Sequence, residues 1–149
     1  INKAGCNLSF AGLKTAILKI SKTLKSEQEK FDLAASFQKT IQEILISKSK
    51  IAFKEFTKLN ISKNNFFIIS GGVAANQGIR ENLIKVSIDN NFQPIFPDHE
   101  LCGDNAAMIA LVGLEKFKKK IFSNLDLICE PRLSLDKKAK FMKGAGVVL

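Results

Sequence analysis

The stretch Phe66-Phe67-Ile68-Ile69-Ser70-Gly71-Gly72-Val73-Ala74-Ala75-Asn76 decides the fold class. Four consecutive apolar residues follow the polar turn Lys63-Asn64-Asn65 and read as a short strand buried on both faces. Gly71-Gly72 ends the strand. From residue 73 to about 89 the periodicity is helical, with Ile79, Leu83 and Val86 on one face. Asn90-Asn91 breaks that helix, and residues 93–96 form a second short strand closed by Pro97. A strand, a helix and a strand in this order imply two parallel strands with a right-handed crossover.

Upstream of this unit the chain reads as helical. Leu13, Ala16, Ile17, Ile20 and Leu24 share one face of a helix from residue 11 to about 25. Ser26-x-x-Glu29 is a capping-box signature that closes the first helix and opens a second, over about 27–59. Phe31, Ala34, Ala35, Gln38, Ile41, Leu45 and Ile51-Ala52-Phe53 give the second helix apolar residues on more than one side, so it must pack against several elements. Downstream, a loop over 98–103 leads to a last helix over 104–120, whose Lys116, Lys118, Lys119 and Lys120 suit the negative end of the helix dipole. The order is helix, helix, strand, helix, strand, helix, an α/β pattern. Residues 1–60 form a helical segment, 61–122 the strand-and-helix unit, and 123–149 a turn-rich tail. Two strands make a poor sheet, because a parallel sheet takes further strands beside it and helices on both faces. With a first residue of Ile1 in place of Met, the expectation is a fragment of something longer.

The 149 residues suffice for one domain of ordinary size, and 46% apolar with 25% charged residues is the composition of a soluble protein with a core. No apolar run reaches the ~18–20 residues that cross a bilayer. The net charge of +9 suits a polyanionic partner, but of 23 basic residues only Arg80 and Arg132 are arginines, and Trp and Tyr are absent. Lysine enrichment of this kind also follows from compositional drift, so the charge is compatible with RNA without demonstrating it. Cys6, Cys102 and Cys129 are far apart and odd in number. They form neither a disulfide framework nor a cysteine zinc site, which places the chain in a reducing, cytoplasmic setting.

Two places can carry chemistry. At residues 68–76, a strand running through two glycines into a helix lets a ligand approach the backbone beside helix N-terminal amides. That is how α/β proteins hold nucleotides beyond the carboxyl ends of their strands. The spacing is neither a P-loop nor Gly-x-Gly-x-x-Gly. A tight turn, with Asn76 as a local hydrogen-bonding residue, explains the same letters. The second place is Glu100-Leu101-Cys102-Gly103-Asp104-Asn105, at the same edge of the sheet. Asp104 is either an N-cap of the last helix or a carboxylate presented to a divalent metal. His99 is the only histidine, which leaves no Ser-His-Asp arrangement and only a weak metal signal. Met108 and the phenylalanines sit at core-like spacings.

Taken together, these phrases resemble one family, the TsaD proteins, also called Gcp, the tRNA threonylcarbamoyladenosine transferases. Leu8-Ser9-Phe10-Ala11-Gly12-Leu13-Lys14-Thr15-Ala16 is similar to the family's Phe-Ser-Gly-Leu-Lys-Thr phrase, with Ala11 where Ser is usual. Asp32-Leu33-Ala34-Ala35-Ser36-Phe37-Gln38, Gly71-Gly72-Val73-Ala74-Ala75-Asn76 and Leu101-Cys102-Gly103-Asp104-Asn105-Ala106-Ala107-Met108-Ile109-Ala110 carry the rest of the resemblance. Pro131-Arg132-Leu133-Ser134-Leu135-Asp136 sits where the family has a Pro-Arg ending. The blocks occur in order over nearly the whole chain.

The resemblance implies the C-terminal half of an actin-like ATPase fold of the RNase H-like kind. It implies transfer of a threonylcarbamoyl group from threonylcarbamoyl-AMP to N6 of adenosine 37 in tRNAs reading codons that begin with A. It gives Asn76, with Gly71 and Gly72, the substrate contact, and gives Asp104 the role of a ligand to one divalent metal ion, iron or zinc. It assigns no catalytic residue to this chain. The family's His-x-x-x-His metal pair is absent here, so the ligand set is incomplete. The expected partners are tRNA, threonylcarbamoyl-AMP, the missing N-terminal half, and TsaB- and TsaE-like proteins, with no membrane. Two other readings remain open: an inactive actin-like scaffold of that complex, and the metallopeptidase of the family's old O-sialoglycoprotein endopeptidase label.

Overall fold

A computed structural model describes residues 5–59 and 64–128. Lys63, Cys129, the Pro131-Arg132 block and most of the tail lie outside the described residues. The chain divides into two units, Ile1–Asn105 and Ala106–Leu149.

In the first unit the order is α1 (Ala11–Ser21), α2 (Glu27–Leu59), β1 (Phe66–Ile68), α3 (Gln77–Asp89) and β2 (Gln93–Ile95). The first helix stops four residues earlier than its apolar face suggests. The reason is local: Ser26 Oγ accepts from the Glu29 N–H at 3.2 Å and starts α2. The Glu29 carboxylate then reaches past the usual capping-box partner to the Lys25 N–H at 2.6 Å. Glu27 and Glu29 in its first turn also suit the positive end of the α2 dipole.

The core forms where α2 and α3 cover one face of the strand pair. Phe53 of α2 is 3% exposed and stacks on Phe92 with ring centroids 4.1 Å apart. It meets Phe67 of β1 edge-on at 4.8 Å. Ile79, Leu83 and Val86, the face expected of α3, complete the cluster. Two adjacent asparagines end α3 by a specific device. Asn91 takes φ 62°, which asparagine tolerates better than most residues. This lets the Phe92 N–H reach the Ser87 carbonyl at 2.9 Å and the Asn91 N–H reach that of Ile88 at 3.0 Å. The chain reversal delivers Phe92 into the core and Gln93 into the sheet.

β1 and β2 are parallel, with Phe66 opposite Gln93, Phe67 opposite Pro94 and Ile68 opposite Ile95. Among the described residues the sheet is covered on one face, which differs from the expected burial on both. Phe67 and Ile69 pack inward, while Phe66 and Ile68 are 48% and 68% exposed. A continuous apolar strand belongs between two layers, and the described residues supply one of them. The two edges also differ. The Gln93 N–H bonds the Asn65 carbonyl and the Ile95 carbonyl accepts from Ile69, so the alternation turns the backbone of Pro94 away from β1. Proline has no N–H to offer there, as befits an outer strand. On β1 the same alternation turns the backbone groups of Phe66 and Ile68 toward the opposite edge.

In the second unit, α4 (Ala106–Lys118) is shorter at both ends than the expected 104–120. Lys120 at φ 55° ends it, with the Ile121 N–H on the Lys116 carbonyl at 2.9 Å. Met108 and Phe117, expected as packing residues, are 49% and 67% exposed, and α4 has no buried residue. No helix among the described residues is long and apolar enough to cross a membrane.

Candidate functional site

The candidate site is built at the carboxyl ends of the two strands. The Ile69 N–H donates to the Ile95 carbonyl at 2.9 Å, and with the strands parallel the chain leaves both of them at the same end of the sheet. After β1, Gly71 adopts φ 94°, a conformation that a side chain would strain. Gly72 has no such requirement, and the space beside both glycines is open. A short 3₁₀ turn, Gly72–Ala75, then points the chain into α3.

Asn76 is the N-cap of α3, its Oδ1 accepting from the Ile79 N–H at 3.0 Å. Its Nδ2 donates to Gln38 Oε1 on α2 at 3.3 Å. The cap uses one lone pair of the amide oxygen and the Gln38 contact one amide hydrogen. Among the described residues the other lone pair and hydrogen are unused, on an exposed side chain. The two roles open to Asn76 are therefore compatible. Gly78 faces the same α2 side chains: a Cβ there would lie 2.9 Å from Gln42 Nε2 and 3.3 Å from Gln38 Nε2, contacts that these flexible side chains relieve by shifting.

After β2 the chain passes through Pro97 into a 3₁₀ turn, His99–Leu101, and then buries Cys102, which is 2% exposed. Arg80 joins this loop to the turn after β1. Its Nε donates to the Ala74 carbonyl at 3.2 Å, and its Nη2 to the Pro97 carbonyl at 3.3 Å. Nη2 also lies 3.4 Å from Cys102 Sγ, and Cζ stands 4.5 Å from the centroid of the Phe96 ring. His99 sits beside Arg80 and Glu81 at the rim of an open cavity.

Asp104 lies at the end of this loop and is exposed. The helix begins at Ala106, so Asn105 holds the position immediately ahead of it, and the Asp104 carboxylate makes no hydrogen bond or ion pair among the described residues. Capping therefore does not account for Asp104. A resident metal does not fit these residues alone: among those described, no three of His, Cys, Asp and Glu come together. Three or more ligands are needed to fix a metal's geometry. The structure thus gathers Gly71, Gly72 and Asn76 into one turn and connects it, through Arg80, to the loop that leads to Asp104.

Residues 1–111 match the sequence model of TsaD, tRNA N6-adenosine threonylcarbamoyltransferase. The chain belongs to this family. A TsaD-family relative from Pelagibacter ubique, named tRNA N6-adenosine threonylcarbamoyltransferase, is 65% identical over 148 residues, 99% of the chain and 42% of the relative. Relatives of the same name from Rickettsia conorii and Orientia tsutsugamushi are 42% and 41% identical, over 91% and 82% of the chain. These three matches cover 42%, 40% and 38% of the relatives, so the chain spans about two fifths of their length. The contacts of Arg80 with the Ala74 and Pro97 carbonyls, and of Gln38 with Asn76, were not foreseen from the residues. A signal for Arg80 existed: it is one of two arginines in a lysine-rich chain, and a lysine cannot brace two carbonyls with a rigid fork.

Proposed function

We propose that this chain supplies the C-terminal part of a tRNA threonylcarbamoyl transferase site, within an actin-like sheet completed by further polypeptide. The observation that carries the proposal is the open Gly71–Gly72 turn ending at Asn76, in a chain of the TsaD family. The glycines leave room for an adenylate to lie against the backbone, and the unused amide hydrogen and lone pair of Asn76 hydrogen-bond it. The further strand joins β1, whose apolar outer face and unpaired edge suit an interior strand, while Pro94 marks β2 as the outer one.

In this reading Asp104 contributes one oxygen donor to a divalent metal, iron or zinc, whose other ligands come from the rest of the protein. When bound, that ion supplies charge that holds and polarises an anionic substrate. The residues of this chain bind and orient the adenylate, and the acceptor is tRNA. TsaB- and TsaE-like proteins are the proposed partners, in the cytoplasm. A second reading, a partner-binding subunit without chemistry, draws on the missing ligand trio among the described residues. Replacing the matching segment of the Pelagibacter ubique relative with this chain tests both readings. A chimera that forms threonylcarbamoyladenosine supports the transferase. A folded chimera that binds partners and forms none supports the subunit.

A further inference from the structure

We infer that Arg80 is a positioning residue, whose guanidinium holds the turn bearing Asn76 at a fixed setting against the loop that leads to Asp104. The inference rests on the transferase reading for its consequence and on geometry alone for the brace.

The two loops leave adjacent strands of three residues each, and the ladder ends at Ile69 and Ile95. Beyond that point the backbone of one loop makes no ladder contact with the other, so their relative setting needs another source. Arg80 provides it from α3, four positions after Asn76. Its Nε takes the carbonyl of Ala74, which is 2% exposed, and Nη2 takes that of Pro97. A planar guanidinium fixes the angle between two donors, so one side chain sets the separation of two backbone segments. The Phe96 ring, 4.5 Å beneath it, and the buried Cys102 sulfur hold the plane in place. The helix that carries Arg80 is itself capped by Asn76, and the Arg80 N–H bonds the Asn76 carbonyl at 3.0 Å. Ala74 lies two residues before Asn76 in the same turn, so the Nε bond to its carbonyl ties the setting of the Asn76 amide to the guanidinium. Displacements of about 1 Å at a reacting site cost on the order of 100-fold in rate.

Lysine keeps the charge and the stem and loses the fork, so Arg80→Lys is the informative variant. Phe96→Leu is its companion, keeping the three hydrogen bonds of the Arg80 guanidinium and removing the ring. The experiment uses the Pelagibacter ubique chimera. Amide hydrogen exchange is measured first, because it needs no activity. In Arg80→Lys, exchange should quicken by about 10-fold in residues 72–76 and 97–102 together, while residues 83–87 of α3 stay unchanged. Phe96→Leu should move the same two segments by less. Unchanged exchange in either loop overturns the brace.

The second readout is transfer at varied threonylcarbamoyl-AMP, below the melting temperature of every variant. Arg80→Lys should lower kcat/KM by about 10- to 100-fold. In an Asn76→Ala background the same change should add little, because Arg80 acts through the placement of Asn76. Fully additive losses, or an unchanged kcat/KM in Arg80→Lys, overturn the positioning role. An unsubstituted chimera that folds and transfers nothing overturns the transferase reading, and the exchange data then judge the brace alone.

Discussion

The amide of Asn76 donates to Gln38 Oε1 at 3.3 Å, joining residues 38 positions apart in the chain. Each belongs to a separate family phrase, one ending α2's Asp32-Leu33-Ala34-Ala35-Ser36-Phe37-Gln38 stretch and one closing the turn after β1. Their contact orients the same Asn76 side chain that caps α3. Cap and contact use different atoms, so substitutions can separate them.

Asn76→Asp keeps an oxygen for the Ile79 N–H and removes the amide hydrogens. Its stability in chemical denaturation should stay within about 0.5 kcal/mol of wild type, since Asp and Asn cap equally well. Asn76→Ala should lose about 1 kcal/mol. In the chimera both should weaken adenylate binding, read by calorimetry. Adenylate affinity that follows stability would leave Asn76 as a cap alone.

Much of this fold was legible in the residues. The apolar run at 66–69, the Asn90-Asn91 stop and the 79, 83, 86 spacing each located an element, because local chemistry sets strand, helix end and helix face. What escaped reading was set by distant partners. Phe66 and Phe67 are the same letter, yet only Phe67 meets Phe53. Arg80 looks like a solvated helix residue until Pro97 and Cys102 arrive beside it. The start of α4 was misplaced by two residues, and with it the capping reading of Asp104.

Phe53 touches both Phe67 and Phe92, and thus joins α2 to β1 and to the end of the α3 turn. Phe53→Ala should cost about 3–5 kcal/mol of stability, the range for a buried aromatic truncated to Ala. Thermal unfolding that starts from a cooperative wild-type transition will show it. A loss under about 1 kcal/mol would mean that this cluster is not the organising core.

Ile68 is 68% exposed on the uncovered face of β1. For the isolated chain, Ile68→Lys should change stability by less than about 0.5 kcal/mol and reduce self-association in light scattering. In the chimera the same lysine should be strongly destabilising, because the added layer would bury its charge. Equal tolerance in both would contradict the completed sheet.

Asp104→Asn preserves size and removes the charge. Without metal, thermal stability should be unchanged in the chimera, because the carboxylate has no partner among the described residues. Metal content and turnover should fall by at least ~10-fold, the scale of losses around metal ligands. Equal metal content in both proteins would remove Asp104 from the ligand set.

The most direct measurement of the central claim is the threonylcarbamoyladenosine content of tRNA incubated with threonylcarbamoyl-AMP and either this chain or its Pelagibacter ubique chimera. The account predicts modified tRNA from the chimera, a marked but measurable fall with Asn76→Ala, and none from the chain alone. A folded, metal-loaded chimera that leaves tRNA unmodified, beside an active unsubstituted relative, would contradict it.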